Sequence, residues 1–233
     1  MIYMAITVPF ANDNSDVGRE RLADTVYFQL RNDILFGIYE PLVKLKLDGL
    51  RSRYEASANT IREALARLVA ENLVTAEGQR GFSVAAVTLE DLNDITETRV
   101  LLERQAVRLS MDAADLHWEG EVMAAHYRLS KVEGMAEVDH AKYRNLLEQH
   151  DCAFHRTIIS GCQSQWILRF HSLTYDHMLR YRSQALKKVS DEQLAAMLER
   201  SKQDHLVLRD AALERETDRL VELLDVHIHK GEE

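Results

Sequence analysis

The chain has 233 residues, of which 46% are apolar and 29% charged, with nine glycines and two prolines. This composition excludes collagen, low-complexity disorder and a disulfide-stapled scaffold, and it favours a mostly α-helical protein with one large domain or two modest ones. There are 29 lysines and arginines against 38 aspartates and glutamates, so the formal net charge is −9. Taken alone, that charge argues against nucleic-acid binding.

The N-terminal segment shows no targeting signal. Residues 1–18 contain neither lysine nor arginine and lack the cleavage site of a signal peptide, so we expect a flexible tail there. No apolar run reaches the roughly 20 residues that a membrane span needs. Cys152 and Cys162 fit neither a CxxC motif nor a disulfide framework, which predicts free thiols in a reducing compartment. We therefore expect a soluble, cytoplasmic protein.

Residues 19–88 are predicted to form a first domain of three helices and a β-hairpin. Helical spacing of apolar residues and a glycine-bounded turn indicate, in order, a helix over 19–36, a helix over 47–54, a third helix from Ser57 to about Asn72, and short β segments at 73–74 and 82–84. Ser57 stands where a hydroxyl can cap the third helix. This order is that of a winged helix-turn-helix, whose third helix enters the major groove of DNA.

The outward side of the third helix carries residues of types that reach base edges or phosphates. These candidate DNA-binding residues are Asn59, Thr60, Arg62 and Arg67, together with Arg80 at the hairpin tip, where it can meet the backbone or the minor groove. An ordinary solvated face on a small helical domain would show a similar pattern. The charge distribution favours DNA, because the net charge is +1 over residues 19–88 and −8 over residues 89–233.

Four stretches of this domain closely resemble the GntR-type DNA-binding domain: residues 32–37, 60–68, 71–74 and 79–84, with IREALARL followed by LV and RGFSV. The resemblance implies a winged helix-turn-helix and adds Ser57 to the DNA-binding residues. The sequence departs from the family at Ala58, where an arginine is usual, and at Asp48, on or near a second arginine position. We expect Arg51 or Arg53 to replace part of those contacts and the operator preference to differ.

Beyond residue 88, long amphipathic patterns follow one another without proline. They predict an all-α antiparallel bundle with helices near 89–112, 116–134, 139–160, 164–187, 190–213 and 217–230. The chain is thus expected to join an N-terminal winged helix-turn-helix to a second, all-helical domain over residues 89–233.

An arginine interrupts the apolar stripe of the first helix of this second domain. The spacing of Leu92 and Ile95 requires another apolar residue at position 99, where Arg99 stands. A core-facing arginine is costly unless it is paired. Two interpretations are open: a structural salt bridge to Glu103 one turn on, or a cavity in which the guanidinium binds the carboxylate of a ligand.

Four residues of the second domain have the types and spacing of metal ligands. Asp151 and His155 are four apart on one helix and point the same way, although a helix-surface ion pair is at least as common. His205 and His227 are equidistant from a turn centred on residue 216, so they lie side by side in an antiparallel helical hairpin. One carboxylate and three imidazoles suit zinc, nickel or another divalent transition metal.

The same pattern resembles the FCD effector domain of the FadR subfamily of GntR regulators. The residues that carry it are Arg99 with Glu103, Asp151-x-x-Phe154-His155, His205 and His227, and further matches such as Trp118-Glu119 resemble the carbon-starvation-induced regulator branch, whose effectors are small dicarboxylates. The resemblance implies that Asp151 and the three histidines hold a metal ion whose shell the effector's carboxylate completes. His150 and His229 are expected to lie outside the site.

We therefore expect a transcriptional regulator whose dimers bind an inverted repeat and whose operator affinity is controlled by a small mono- or dicarboxylate at the metal and Arg99. A metal-dependent hydrolytic enzyme is the alternative, because such a metal could activate water. No further acid–base pair, phosphate loop or nucleophile motif supports it. A third interpretation makes the metal itself the signal.

Overall fold

Long amphipathic stretches separated by short polar breaks produce nine helices and one two-stranded sheet in the part of the chain that the computed structural model describes, residues 15–76, 78, 81–135 and 140–230. By its internal contacts the chain divides into two units. One comprises Met1–Ile34 and Ile38–Ala86, the other Leu35–Gly37 and Val87–Glu233. None of the helices in the described ranges has the length and apolar character that crossing a membrane requires.

The first unit is a winged helix-turn-helix, as predicted. Its elements are α1 (Ser15–Leu35), α2 (Leu47–Tyr54), α3 (Ala58–Ala70), β1 (Val74–Ala76) and β2 (Phe82–Val84). The two strands pair antiparallel, with Val74 opposite Val84, and form the wing. Large apolar side chains from the three helices, including Leu30, Ile61 and Leu68, are fully buried and form the core beneath it.

The turn between α2 and α3 is set by two residues. Glu55 adopts a left-handed conformation with φ of 50° and ends α2. Ser57 then accepts a hydrogen bond of 3.2 Å from the backbone N–H of Thr60, which confirms the predicted cap of α3. Three residues therefore reverse the chain, and α3 is held with one face on the core.

The start of α1 differs from the expectation. The helix begins at Ser15 rather than at Arg19, so residues 15–18, assigned to a flexible tail, are helical. An aspartate is favoured in the first turn of a helix, where position 16 lies, but the apolar stripe on which the expectation rests begins only at Leu22. Residues 1–14 of the predicted tail lie outside the described residues.

The second unit is the predicted bundle of six helices: α4 (Leu89–Ala113), α5 (Leu116–Glu133), α6 (His140–Ile158), α7 (Gln165–Ala185), α8 (Asp191–Leu213) and α9 (Thr217–Lys230). Side-chain oxygens of Thr88, Asp115, Ser164 and Ser190 cap four of them. α4 packs on α7 and α9, while α5 packs on α6 and α8. Phe154 and Leu208 are fully buried in the resulting core, beside the polar cluster described below.

Candidate DNA-binding helix and metal centre

The exposed face of α3 carries the polar residues expected to meet DNA. Asn59 and Arg62 are exposed and Thr60 is half-buried, whereas Ile61 and Leu65 are buried against the core. Among the described residues Arg62 makes no ion pair, so its guanidinium can reach outward. This arrangement places two residues of base-reading type on the first turns of the helix, where a winged helix-turn-helix contacts the major groove.

The other DNA-binding candidates have structural contacts of their own. Arg67 donates a hydrogen bond of 2.6 Å to Asp24 and lies over the ring of Tyr27, with Cζ 3.8 Å from its centroid, so it ties α3 to α1. Arg51 is half-exposed and lies 3.5 Å from Asp48. Arg80, the predicted wing-tip contact, lies outside the described residues.

The structure brings the four predicted metal ligands together inside the second unit. One ligand atom from each of Asp151, His155, His205 and His227 lies within 4.8 Å of the others. The residues come from α6, α8 and α9, and Asp151, His155 and His205 are buried while His227 is nearly so. The symmetric placement of His205 and His227 about the α8–α9 turn puts their ring centroids 4.8 Å apart.

Asp151 is held by two side chains of α7 that the sequence did not indicate. Its Oδ2 accepts hydrogen bonds from the Tyr175 hydroxyl at 2.6 Å and from Nη1 of Arg182 at 3.2 Å. Its Oδ1 lies 3.2 Å from Nε2 of His205 and 3.9 Å from Nε2 of His155. One oxygen therefore faces the histidines while the other is fixed to α7.

The electrostatics of the cluster separate the histidines. Burial lowers the pKa of His227 to about 4. Burial also opposes protonation of His205, but the carboxylates of Asp151 and Glu133 raise its pKa to about 9. Burial alone would raise the pKa of Asp151, yet the Arg182 guanidinium holds it well below its usual range. Without a metal, the neighbouring carboxylates therefore favour the protonated form of His205, whereas burial favours neutral His227.

These residues fit a divalent transition metal. Three imidazoles and one carboxylate form the donor set that zinc and its neighbours prefer, with no soft sulfur ligand among them. Nε2 of His205 is buried and makes no hydrogen bond, although Asp151 Oδ1 lies 3.2 Å away. A buried polar atom without a partner is rare and indicates a missing one.

Arg99 forms the salt bridge of the first interpretation. Its Nε donates to Glu103 at 3.0 Å, its Cζ lies 4.6 Å from the centroid of the Tyr175 ring, and its Nη1 contacts the Met178 sulfur at 3.4 Å. Arg99 and Glu103 are only 4% and 1% exposed. Oε2 of Glu103 also lies 3.1 Å from Nε2 of His171, so this one oxygen contacts both Arg99 and His171.

Sequence reasoning missed Glu133, Tyr175 and Arg182. Glu133 receives a hydrogen bond of 2.7 Å from His205, 72 residues away, and the other two contact Asp151 from α7. None of them belongs to a local motif. The only available signal was the general rule that a metal-binding histidine has a carboxylate or carbonyl behind it, and this rule does not say which residue provides it.

Comparisons with known proteins cover both units. Residues 22–84 match the family described as bacterial regulatory proteins of the gntR family, and residues 94–230 match the FCD domain. The uncharacterized HTH-type transcriptional regulator BphR of Paraburkholderia xenovorans is 39% identical over 97% of this chain and 88% of its own. The HTH-type transcriptional repressor GlaR of Escherichia coli is 35% identical over 87% of this chain and 90% of its own.

A solved structure shows the same fold. Escherichia coli McbR/YncC superimposes with a TM-score of 0.73 at 18% identity, over 90% of this chain and 94% of that one. The two matched domains and the named relatives define the class of protein, a DNA-binding transcriptional regulator with an FCD domain. The chain belongs to the GntR family, with an FCD domain as its second domain.

Proposed function

We propose that this regulator responds to a small mono- or dicarboxylate that binds beside a divalent transition metal, zinc or nickel, in the FCD domain. The observation that carries the proposal is the buried cluster of one carboxylate and three imidazoles. Asp151, His155, His205 and His227 would hold the metal, which when bound supplies a positive centre for a carboxylate oxygen.

Arg99 supports an anionic effector. Its guanidinium has five N–H donors in a planar fork that matches a carboxylate. The contacts to Glu103 and Met178 use Nε and Nη1. Glu103 also lies 3.4 Å from Nδ1 of His155, so Arg99 is linked to the candidate ligands through one side chain. An effector bound by Arg99 and by the metal would therefore contact groups held by α4 and by α6 at the same time.

On the DNA side, we propose that a homodimer binds an inverted repeat. Each chain has one winged helix-turn-helix, and its exposed α3 face reads one half-site, so a two-fold pair reads a palindrome. Effector binding would shift the equilibrium between states of high and low operator affinity. The cytoplasm, where a bacterial chromosome lies, is the matching location.

A screen of short mono- and dicarboxylates tests the proposal. Thermal shift followed by calorimetry on zinc-loaded protein is expected to find a carboxylate that binds, and the same compound should not bind protein stripped with a chelator. Bound effector should also change the affinity for an operator duplex selected from random sequence. The proposal would be contradicted if no carboxylate bound, or if a carboxylate bound zinc-loaded and chelator-treated protein with equal affinity. Operator affinity that changes with zinc alone would favour the metal as the signal.

Arg62→Ala is expected to weaken binding to the selected operator by about 10- to 100-fold, because a base-contacting arginine contributes roughly 1–3 kcal/mol. Affinity is measured by fluorescence anisotropy over a series of salt concentrations. Arg62 is exposed and absent from the core, so the variant should fold normally.

Arg108→Ala is the matched control for that experiment. It removes the same charge from α4, where Arg108 makes only an exposed ion pair with Asp218. Operator affinity should stay within a factor of two or so of the original, since such pairs contribute little. Equal affinities of the two variants at every salt concentration would show that α3 is not the DNA-binding helix.

A further inference from the structure

A carboxylate lies behind each of the three clustered histidines, on the Nδ1 side of the ring. The pairs come from different helices: Glu133 of α5 at 2.7 Å from His205, Glu103 of α4 at 3.4 Å from His155, and Asp204 of α8 at 3.5 Å from His227. The three contacts share one orientation, so in each ring Nε2 is the nitrogen that remains for a ligand.

The pair of Glu133 and His205 has the geometry of a true hydrogen bond. Both side chains are at most 2% exposed, and the distance is that of a hydrogen bond. Because a carboxylate oxygen accepts, Nδ1 of His205 is assigned as the donor to Glu133 Oε1. Nε2 of the same ring is buried and has no hydrogen-bond partner. A proton fixed on Nδ1 leaves the lone pair of Nε2 directed at the cluster once the ring is neutral.

Glu133 is buried and makes its hydrogen bond to His205 rather than to solvent. It is the last residue of α5, and its second oxygen, Oε2, is buried without a hydrogen-bond partner. Burying a carboxylate costs free energy unless hydrogen bonds compensate for the lost water, and within the described residues the hydrogen bond with His205 does so. The contact with His205 joins α5 to α8, two helices that also pack on each other through apolar residues, so the bundle would close without it.

We propose that Glu133 is a positioning residue for the metal centre: it fixes His205 in the tautomer and ring orientation that present Nε2 to the ion. This inference rests on the proposed function, because it needs a metal at the cluster. In known metalloproteins, loss of such a partner lowers metal affinity by about 10- to 100-fold.

The test compares Glu133→Ala and Glu133→Gln in the full chain. Zinc affinity is measured by competition with a chromogenic chelator. Glu133→Ala is expected to bind zinc about 10- to 100-fold more weakly. Glu133→Gln should recover most of that loss, since its amide oxygen can still accept the hydrogen bond from Nδ1. Glu121→Ala, which removes an exposed glutamate from the same helix, should bind zinc as the original chain does.

A measurement on the unchanged chain keeps the inference falsifiable even if a variant fails to fold. In zinc-loaded protein labelled with ¹⁵N-histidine, the ring of His205 should show a protonated Nδ1 and a metal-bound Nε2. Zinc on Nδ1 of His205, or equal zinc affinity of Glu133→Ala and Glu121→Ala, overturns the inference while leaving the metal site intact. Failure of the original chain to bind zinc instead overturns the proposed function.

Discussion

Replacing His205 and His227 together with alanine is expected to abolish stoichiometric metal binding. The two residues supply two of the four donors, and the two donors that remain, Asp151 and His155, are too few to hold the ion tightly. A metal at 100 times its Kd stabilises a folded protein by about 2.7 kcal/mol, and that stabilisation should vanish in the variant. Elemental analysis of purified protein and thermal unfolding with and without added zinc measure the two effects.

The control is the double variant of His150 and His229, which also loses two imidazoles. Each of these residues neighbours a candidate ligand in sequence but lies outside the cluster, and His229 instead contacts Glu97 at 3.1 Å. This variant should retain one metal per chain. Metal retained after loss of His205 and His227, or lost in the control, would place the site elsewhere.

Arg99→Ala is expected to lower the free energy of unfolding by about 3–5 kcal/mol. Both members of the pair are buried, so removal of the arginine leaves the Glu103 carboxylate in the core without its guanidinium partner. Burial alone would raise the pKa of Glu103, but Arg99, with His155 and His171, holds it well below its usual range, which favours the charged carboxylate. Urea unfolding in the presence of a chelator, at neutral pH, measures the loss without a contribution from metal.

Two further variants separate the buried charge from lost packing. Replacing both Arg99 and Glu103 with methionine should recover most of the stability, because a buried ion pair and an apolar pair of similar volume are often of equal stability. Arg104→Ala, which breaks the more exposed pair with Asp225, should cost about 1 kcal/mol or less. If Arg99→Ala lowered the free energy of unfolding by less than about 1 kcal/mol, the buried ion pair would not contribute the expected stability.

The sequence predicted best what local pattern determines. The bounds of α2 and α9 agree with the expected 47–54 and 217–230, because each helix has a regular apolar face and a clear break on either side. The predicted start of α1 was wrong because the helix extends beyond its apolar stripe, which begins at Leu22. Arg99 stood out as the one charge on an apolar stripe, and its nearest possible partner, Glu103, is the partner found.

The site residues were predictable where they lie on one helix or on two consecutive helices. Asp151 and His155 share a helix, and an antiparallel hairpin brings His205 to His227, so spacing predicted the two pairs. The family resemblance implied that the two pairs meet in one site, and the structure brings them together. Glu133 could not be predicted, because 38 acidic residues compete for the place behind His205 and only the packing of α5 on α8 selects one. Long-range contacts between helices are decided by the bundle as a whole, which spacing does not encode.

The carboxylate of Asp151 has a mechanical consequence. Its two oxygens belong to one planar group and cannot be re-aimed independently, yet Oδ1 faces the histidines while Oδ2 holds Tyr175 and Arg182 of α7. Any displacement of Oδ1 therefore also displaces Oδ2 relative to its partners, Tyr175 and Arg182. The ring of Tyr175 lies against Arg99 of α4 in turn. Asp151, Tyr175 and Arg99 thus form a continuous series of contacts from the clustered ligands to α4, a helix that contributes none of the four.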